Sequence, residues 1–103
     1  MTYLTNAFSL QMLPLSQEAL VRVEPIDTPE LVNTEFVSAI GHADTAAVVA
    51  DILGVDVPAN RMNVSLGQGD TLIVAQLLGG RLPEGATKLP EGFSIKFVRV
   101  TLA

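Results

Sequence analysis

The stretch Phe36-Val-Ser-Ala-Ile-Gly-His-Ala-Asp-Thr-Ala-Ala-Val-Val-Ala-Asp-Ile-Leu-Gly54 decides how the chain folds. Phe36 to Ile40 is almost wholly apolar, the pattern of a strand covered on both faces. Gly41 permits a sharp turn. Asp44 or Thr45 is placed to cap a helix in which Ala46, Val49, Ala50 and Leu53 recur along one face, and Gly54 suits the position just past its end. The reading is strand, glycine turn, helix. His42, the single histidine, falls at the junction, close to helix N–H groups that lack intrahelical partners and attract anions. An imidazole placed there suits proton transfer to a phosphate ester.

Working outward, Thr2 to Asn6 reads as a short first strand, followed by a brief helix capped by Asn6 or Ser9 with Leu10 and Leu13 facing inward. Pro14 ends it. Ala19 to Glu24 alternates as a second strand, and Pro25 stops the pattern. Asp27-Thr-Pro-Glu30 is a helix start with proline at the first helical position, with room for only a turn or two. Beyond Gly54, Pro58-Ala-Asn60 reads as a turn. Arg61 to Leu66 and Thr71 to Leu78 then predict a hairpin around Gly67-Gln-Gly-Asp70, its second arm apolar enough to lie in the middle of a sheet. Leu-Pro-Glu-Gly occurs twice, at 82–85 and 89–92, within a glycine- and proline-rich segment, Gly79 to Phe93, that reads as a mobile flap. Ser94 to Thr101 gives a final strand. Together these predict one α/β (α+β) domain over residues 1–103, with a mixed sheet of about five or six strands, one main helix and one or two short ones.

At 103 residues the core is limited, yet 49% of the chain is apolar and its mean hydropathy is +0.42. No apolar run approaches the ~20 residues of a membrane helix. Part of the apolar surface is therefore expected to be covered by a second copy, making a homodimer. The N-terminus lacks the basic start and long apolar run of a signal peptide. The absence of cysteine excludes disulfides and thiolate metal sites and suits a cytoplasmic protein. One histidine cannot build a multi-histidine metal site within one chain. A net charge of −5 argues against long nucleic acid, whereas a small anion remains compatible with local clustering of Arg22, Arg61, Arg81, Lys88, Lys96 and Arg99.

Several stretches in the same order resemble one family: Tyr3-Leu-Thr-Asn-Ala-Phe-Ser-Leu-Gln-Met-Leu13, Ala39-Ile-Gly-His-Ala-Asp-Thr-Ala46, Asn60-Arg61, Gly69-Asp70 and Arg81-Leu-Pro-Glu-Gly85. The chain is similar in these to the small viral and prophage proteins that act as anti-CRISPR ring nucleases. The resemblance implies a homodimer that cleaves cyclic tetra-adenylate, the messenger of type III CRISPR systems, without metal, leaving linear products with cyclic 2′,3′-phosphate ends. It implies catalytic roles for His42 and Glu84 and ligand contacts from Asn6, Ser9 and Arg81. The segment after Gly85 and the insert before Phe36 are shorter than in that pattern.

In this chemistry His42 would protonate the departing 5′-oxygen, a contribution of roughly a hundredfold or more. A carboxylate such as Glu84 would hold the imidazole and favour its charged form. Glu91 is its rival, standing in the same tetrapeptide. Arg81 would neutralise charge on the phosphate oxygens. Each residue also has an ordinary role: a histidine satisfying a turn, a solvated loop acid, a surface arginine, and Asn6 and Ser9 as helix caps. Arg61 reads as structural, pairing with an acid across the hairpin or the dimer. A protein that sequesters the ring without turnover, and a small dimeric structural or interaction protein, are the readings from other classes.

Overall fold

In the computed structural model, which describes residues 1–103, one mixed sheet of five strands carries two helices. The strands are β1 (Thr2–Thr5), β2 (Val21–Pro25), β3 (Val37–Ser38), β4 (Thr71–Leu78) and β5 (Ser94–Leu102). The helices are α1 (Thr28–Val32) and α2 (Ala43–Leu53), and a 3-10 turn spans Leu10–Met12. The sheet order is β2-β5-β4-β1-β3. β1 runs parallel to β3 and β4, while β5 is antiparallel to β4 and β2. Since β3 and β4 both parallel β1, α2 is the crossover helix that a parallel connection requires.

β4 is the middle strand, and its composition explains why. Leu72, Ile73, Val74 and Ala75 are each no more than 3% exposed, so both faces are covered. Ile73 and Ala75 join Leu4, Ile40, Ala46, Val49, Leu53 and Phe97 in the larger core, beneath α2. Leu72 and Val74 join Val64, Leu66 and Val100 on the other face. Burying a side chain such as Val49 contributes roughly 1.5–3 kcal/mol. At the far end of α2, Gly54 takes the left-handed conformation (φ 71°) and donates its N–H to Ala50 O, as its sequence position predicts.

Three expectations are corrected. β3 is two residues at the sheet edge, not a five-residue strand. Its outer side is sealed by the chain at 58–60: the Ser38 hydroxyl donates to Pro58 O (2.7 Å), Asn60 Nδ2 donates to Ser38 O (2.6 Å), and Asn60 N–H donates to Ile40 O (2.8 Å). That cover satisfies polar groups at the sheet edge, while the segment is apolar because Phe36 and Ile40 pack into the larger core and Ala39 against the smaller one.

Second, 61–66 forms no hairpin arm. Both ladder edges of β4 are taken by β1 and β5, so this segment lies across a face of the sheet. There it buries Val64 and Leu66 and donates one N–H, from Leu66 to Met12 O (2.7 Å). Third, Leu10 is 66% exposed rather than inward-facing. The 3-10 turn ends at Met12 and Leu13 is already extended, so helical spacing does not carry on, and Met12 and Leu13 are the residues that pack. The expected turn at Gly67–Asp70 does form, closed by Gly67 N–H to Asp70 Oδ2 (3.0 Å) and by an ion pair from the Met1 amino group to Asp70 (3.3 Å). Both donors hold the Asp70 carboxyl below its ordinary value, the Gly67 N–H most strongly.

Residues 79–93 contain neither helix nor strand but two copies of one turn. Ala86 N–H donates to Pro83 O and Phe93 N–H to Pro90 O, with Gly85 and Gly92 at φ 79° and 87°. The repeated Leu-Pro-Glu-Gly is a repeated turn.

Candidate active site

A cleft of about 640 Å³ opens where the parallel strands end, the edge at which α/β sheets tend to bind ligands. Asn6 enters it from just beyond β1 and Leu77 from β4. His42, Asp44 and Thr45 contribute from the start of α2, and Arg81 to Glu84 from the first turn of the long loop. The volume falls within the ~300–1,000 Å³ typical of small-molecule sites.

His42 is the N-cap residue of α2, not Asp44 or Thr45 as the sequence suggests. Its carbonyl accepts the Ala46 N–H (3.0 Å), and its backbone is extended (φ −108°, ψ 125°). A cap residue normally lends its side chain to the helix N–H groups. The imidazole does not. It is exposed, with no ion pair and no hydrogen bond within the chain, and it lines the cleft. Arg81, Glu84 and Asn6 are likewise exposed and uncommitted. The fold thus brings a proton-carrying ring, a guanidinium, a carboxylate and an amide to one concavity beside a helix N-terminus and uses none of them for itself. That arrangement can bind an anion and move a proton beside it.

Ser9, the fifth residue singled out, is not part of this lining. Its hydroxyl accepts the Gln11 N–H (3.2 Å), capping the 3-10 turn, so the cap there is Ser9 rather than Asn6. Glu91 lies outside the cleft, which separates it from Glu84 despite identical local sequence. Arg61 pairs with no acid in the chain; its stem packs against Gly41, where an added Cβ would meet Arg61 Cβ at 3.3 Å. Thr45 and Asp44 line the cleft without having been picked out as site residues. Their places in the first turn after His42 were the available signal. No group of three or more His, Asp or Glu side chains is arranged to hold a metal, and no helix is long and apolar enough to cross a membrane. A larger depression of about 970 Å³ lies beside β3, but none of the predicted residues reaches it.

Fold and cleft together define a small α+β protein with a ligand-scale site at the carboxyl ends of its parallel strands. The chain belongs to the STIV B116-like family, whose sequence profile matches residues 2–95. Relatives come from viruses of archaea. The chain is 34% identical over 89 residues to Uncharacterized protein 26 of Sulfolobus islandicus filamentous virus, a match covering 82% of this chain and 74% of that protein. Over 53 residues it is 49% identical to Uncharacterized protein ORF117 of Acidianus two-tailed virus, covering 52% and 44% respectively. Its fold is shared with B116 of Sulfolobus turreted icosahedral virus, at a TM-score of 0.75, 24% identity and 97% coverage of both chains.

Proposed function

We propose that this protein is a metal-independent ring nuclease that cleaves cyclic tetra-adenylate to linear di-adenylates and thereby counters type III CRISPR signalling. The observation that carries this reading is the shared cleft of His42, Glu84, Arg81 and Asn6 at the start of α2. A ribose 2′-hydroxyl attacks its own adjacent phosphorus, forming the 2′,3′-cyclic phosphate as the bond from phosphorus to the 5′-oxygen breaks. The 2′ proton passes to solvent, and His42 gives its proton to the departing 5′-oxygen. Arg81 and the helix N–H groups meet the charge on the phosphate oxygens. Glu84 holds the imidazole, and Asn6 contacts the ligand. Ser9, three residues along the same segment, is a ligand contact that the resemblance alone supports.

A homodimer supplies the symmetry the ring requires, since a cyclic tetranucleotide lying on a two-fold axis presents opposite phosphates to two copies of His42. Leu10, Leu15, Leu20 and Val23, each at least 60% exposed, support burial against a second copy. Such an enzyme works in the cytoplasm, where the messenger is made. Incubation with labelled cyclic tetra-adenylate, read by chromatography, tests the whole reading: linear di-adenylates support it, a ring retained intact makes the protein a sequestering binder, and no interaction refutes both.

A further inference from the structure

The loop at 79–93 makes the same turn twice, but only one copy is tied down. Gly85 N–H donates to Asp44 Oδ2 across 2.7 Å, joining the first turn of the loop to the first turn of α2. The equivalent Gly92 N–H, in the second turn, has no such acceptor, and no other hydrogen bond joins the interior of the loop to a distant element. Local sequence is not the cause, since both turns read Leu-Pro-Glu-Gly. The difference is Asp44, two residues after His42 and, like it, at the cleft.

We propose that Asp44 is a positioning residue: its carboxylate fixes the Arg81–Gly85 turn to α2 and so sets Glu84 opposite His42. The inference rests on the ring-nuclease reading of the cleft. His42 is held by the backbone at the N-cap, whereas Glu84 stands on an exposed turn with no partner of its own. A single charge-assisted bond to the adjacent residue therefore decides where that side chain sits. Glu91, in the untethered copy, does not line the cleft. Asp44 serves the reaction through Glu84 and touches no reacting atom. Its place in the first turn also suits an acid, by interaction with the helix dipole, so the tether carries no penalty to the helix.

Three proteins test this, the wild type, Asp44→Ala and Asp44→Asn, with cyclic tetra-adenylate as substrate and amide hydrogen exchange as a readout independent of turnover. The Gly85 amide should exchange about tenfold more slowly than the Gly92 amide in the wild type and lose that protection in Asp44→Ala. In the same variant kcat should fall roughly tenfold with KM within about twofold, because placement is lost rather than binding. Asp44→Asn keeps an oxygen acceptor and should recover most of both. Wild-type kcat in Asp44→Ala, or a Gly85 amide as unprotected as Gly92 in the wild type, overturns the proposal. A wild type that leaves the ring intact instead sinks the ring-nuclease reading, and Gly85 exchange then decides the tether by itself.

Discussion

Replacing His42 with serine should make the protein more stable and less active, and both effects follow from one geometric fact. The residue occupies the N-cap of an eleven-residue helix with extended backbone, yet its side chain accepts nothing from the first-turn N–H groups. Serine in that conformation would accept one, and a good cap is worth about 0.5–2 kcal/mol over a side chain that makes none. For a domain near this size, 1 kcal/mol is about 4–8 °C in Tm. The imidazole takes no part in the core and pairs with nothing in the chain, so its loss removes no compensating contact. Removing a general acid costs ~10²–10⁴ in rate, or about 3–5 kcal/mol in activation free energy. Thermal unfolding followed by circular dichroism and a single-turnover assay with labelled cyclic tetra-adenylate measure the two halves on one sample. His42→Ala, which neither caps nor titrates, should show the rate loss with a Tm near that of the wild type. Ring cleavage by His42→Ser at the wild-type rate would refute the acid role, and a Tm unchanged from His42→Ala would refute the capping argument.

Glu84→Gln should lower turnover by at least about tenfold while Glu91→Gln leaves it unchanged, since only the first acid lines the cleft; equal losses in a steady-state assay would contradict this. Gly79→Ala should destabilise by about 2 kcal/mol, or about 10 °C in Tm. Gly79 sits at φ 114°, and an added Cβ would lie 2.8 Å from Gly92 O, so an unaltered melting curve would contradict that geometry. Asp70 is held below its ordinary value of 3.8, so its contribution to stability is present above that value and lost as pH falls through the lowered one. Asp70→Asn should therefore show a flatter loss of stability below about pH 4 than the wild type, measured by urea unfolding across pH. Sedimentation equilibrium should give twice the chain mass; a monomer would remove the two-fold arrangement of the site.

The fold was legible wherever a residue's own chemistry settles its conformation. Gly54 ends α2 because the left-handed cap favours glycine, and Pro29 sits in the first turn of α1 where its missing N–H costs nothing. β4 announces the middle of the sheet by four consecutive apolar residues that need cover on both faces. Sequence fails where alternation is mistaken for pairing. Val64 and Leu66 are buried and Asn63 and Ser65 exposed, the period-two pattern of a strand, yet the ladder positions beside β4 belong to β1 and β5. Burial periodicity reports which side chains face the sheet and carries no information about which backbone they bond. The same limit hides the short β3: Phe36, Ala39 and Ile40 pack into the two cores, yet the strand extends no further than Val37–Ser38.

The site is distributed differently between sequence and fold. His42 was legible by itself, because a histidine between a glycine turn and a helix start can lie nowhere but at a helix mouth. Arg81 and Glu84 stand some forty residues away, and their arrival at the same place depends on β4, β1 and β3 ending at one edge of the sheet. The same tetrapeptide surrounds Glu84 and Glu91, with Arg81 before the first and Lys88 before the second; in the fold the two turns also differ in what holds them. For the first that is a single carboxylate reaching a single amide, Asp44 to Gly85. The strands bring the loop to the cleft, and its one hydrogen bond to α2 is accepted by the least conspicuous side chain of the Gly-His-Ala-Asp run, one that reads from sequence as no more than a helix cap.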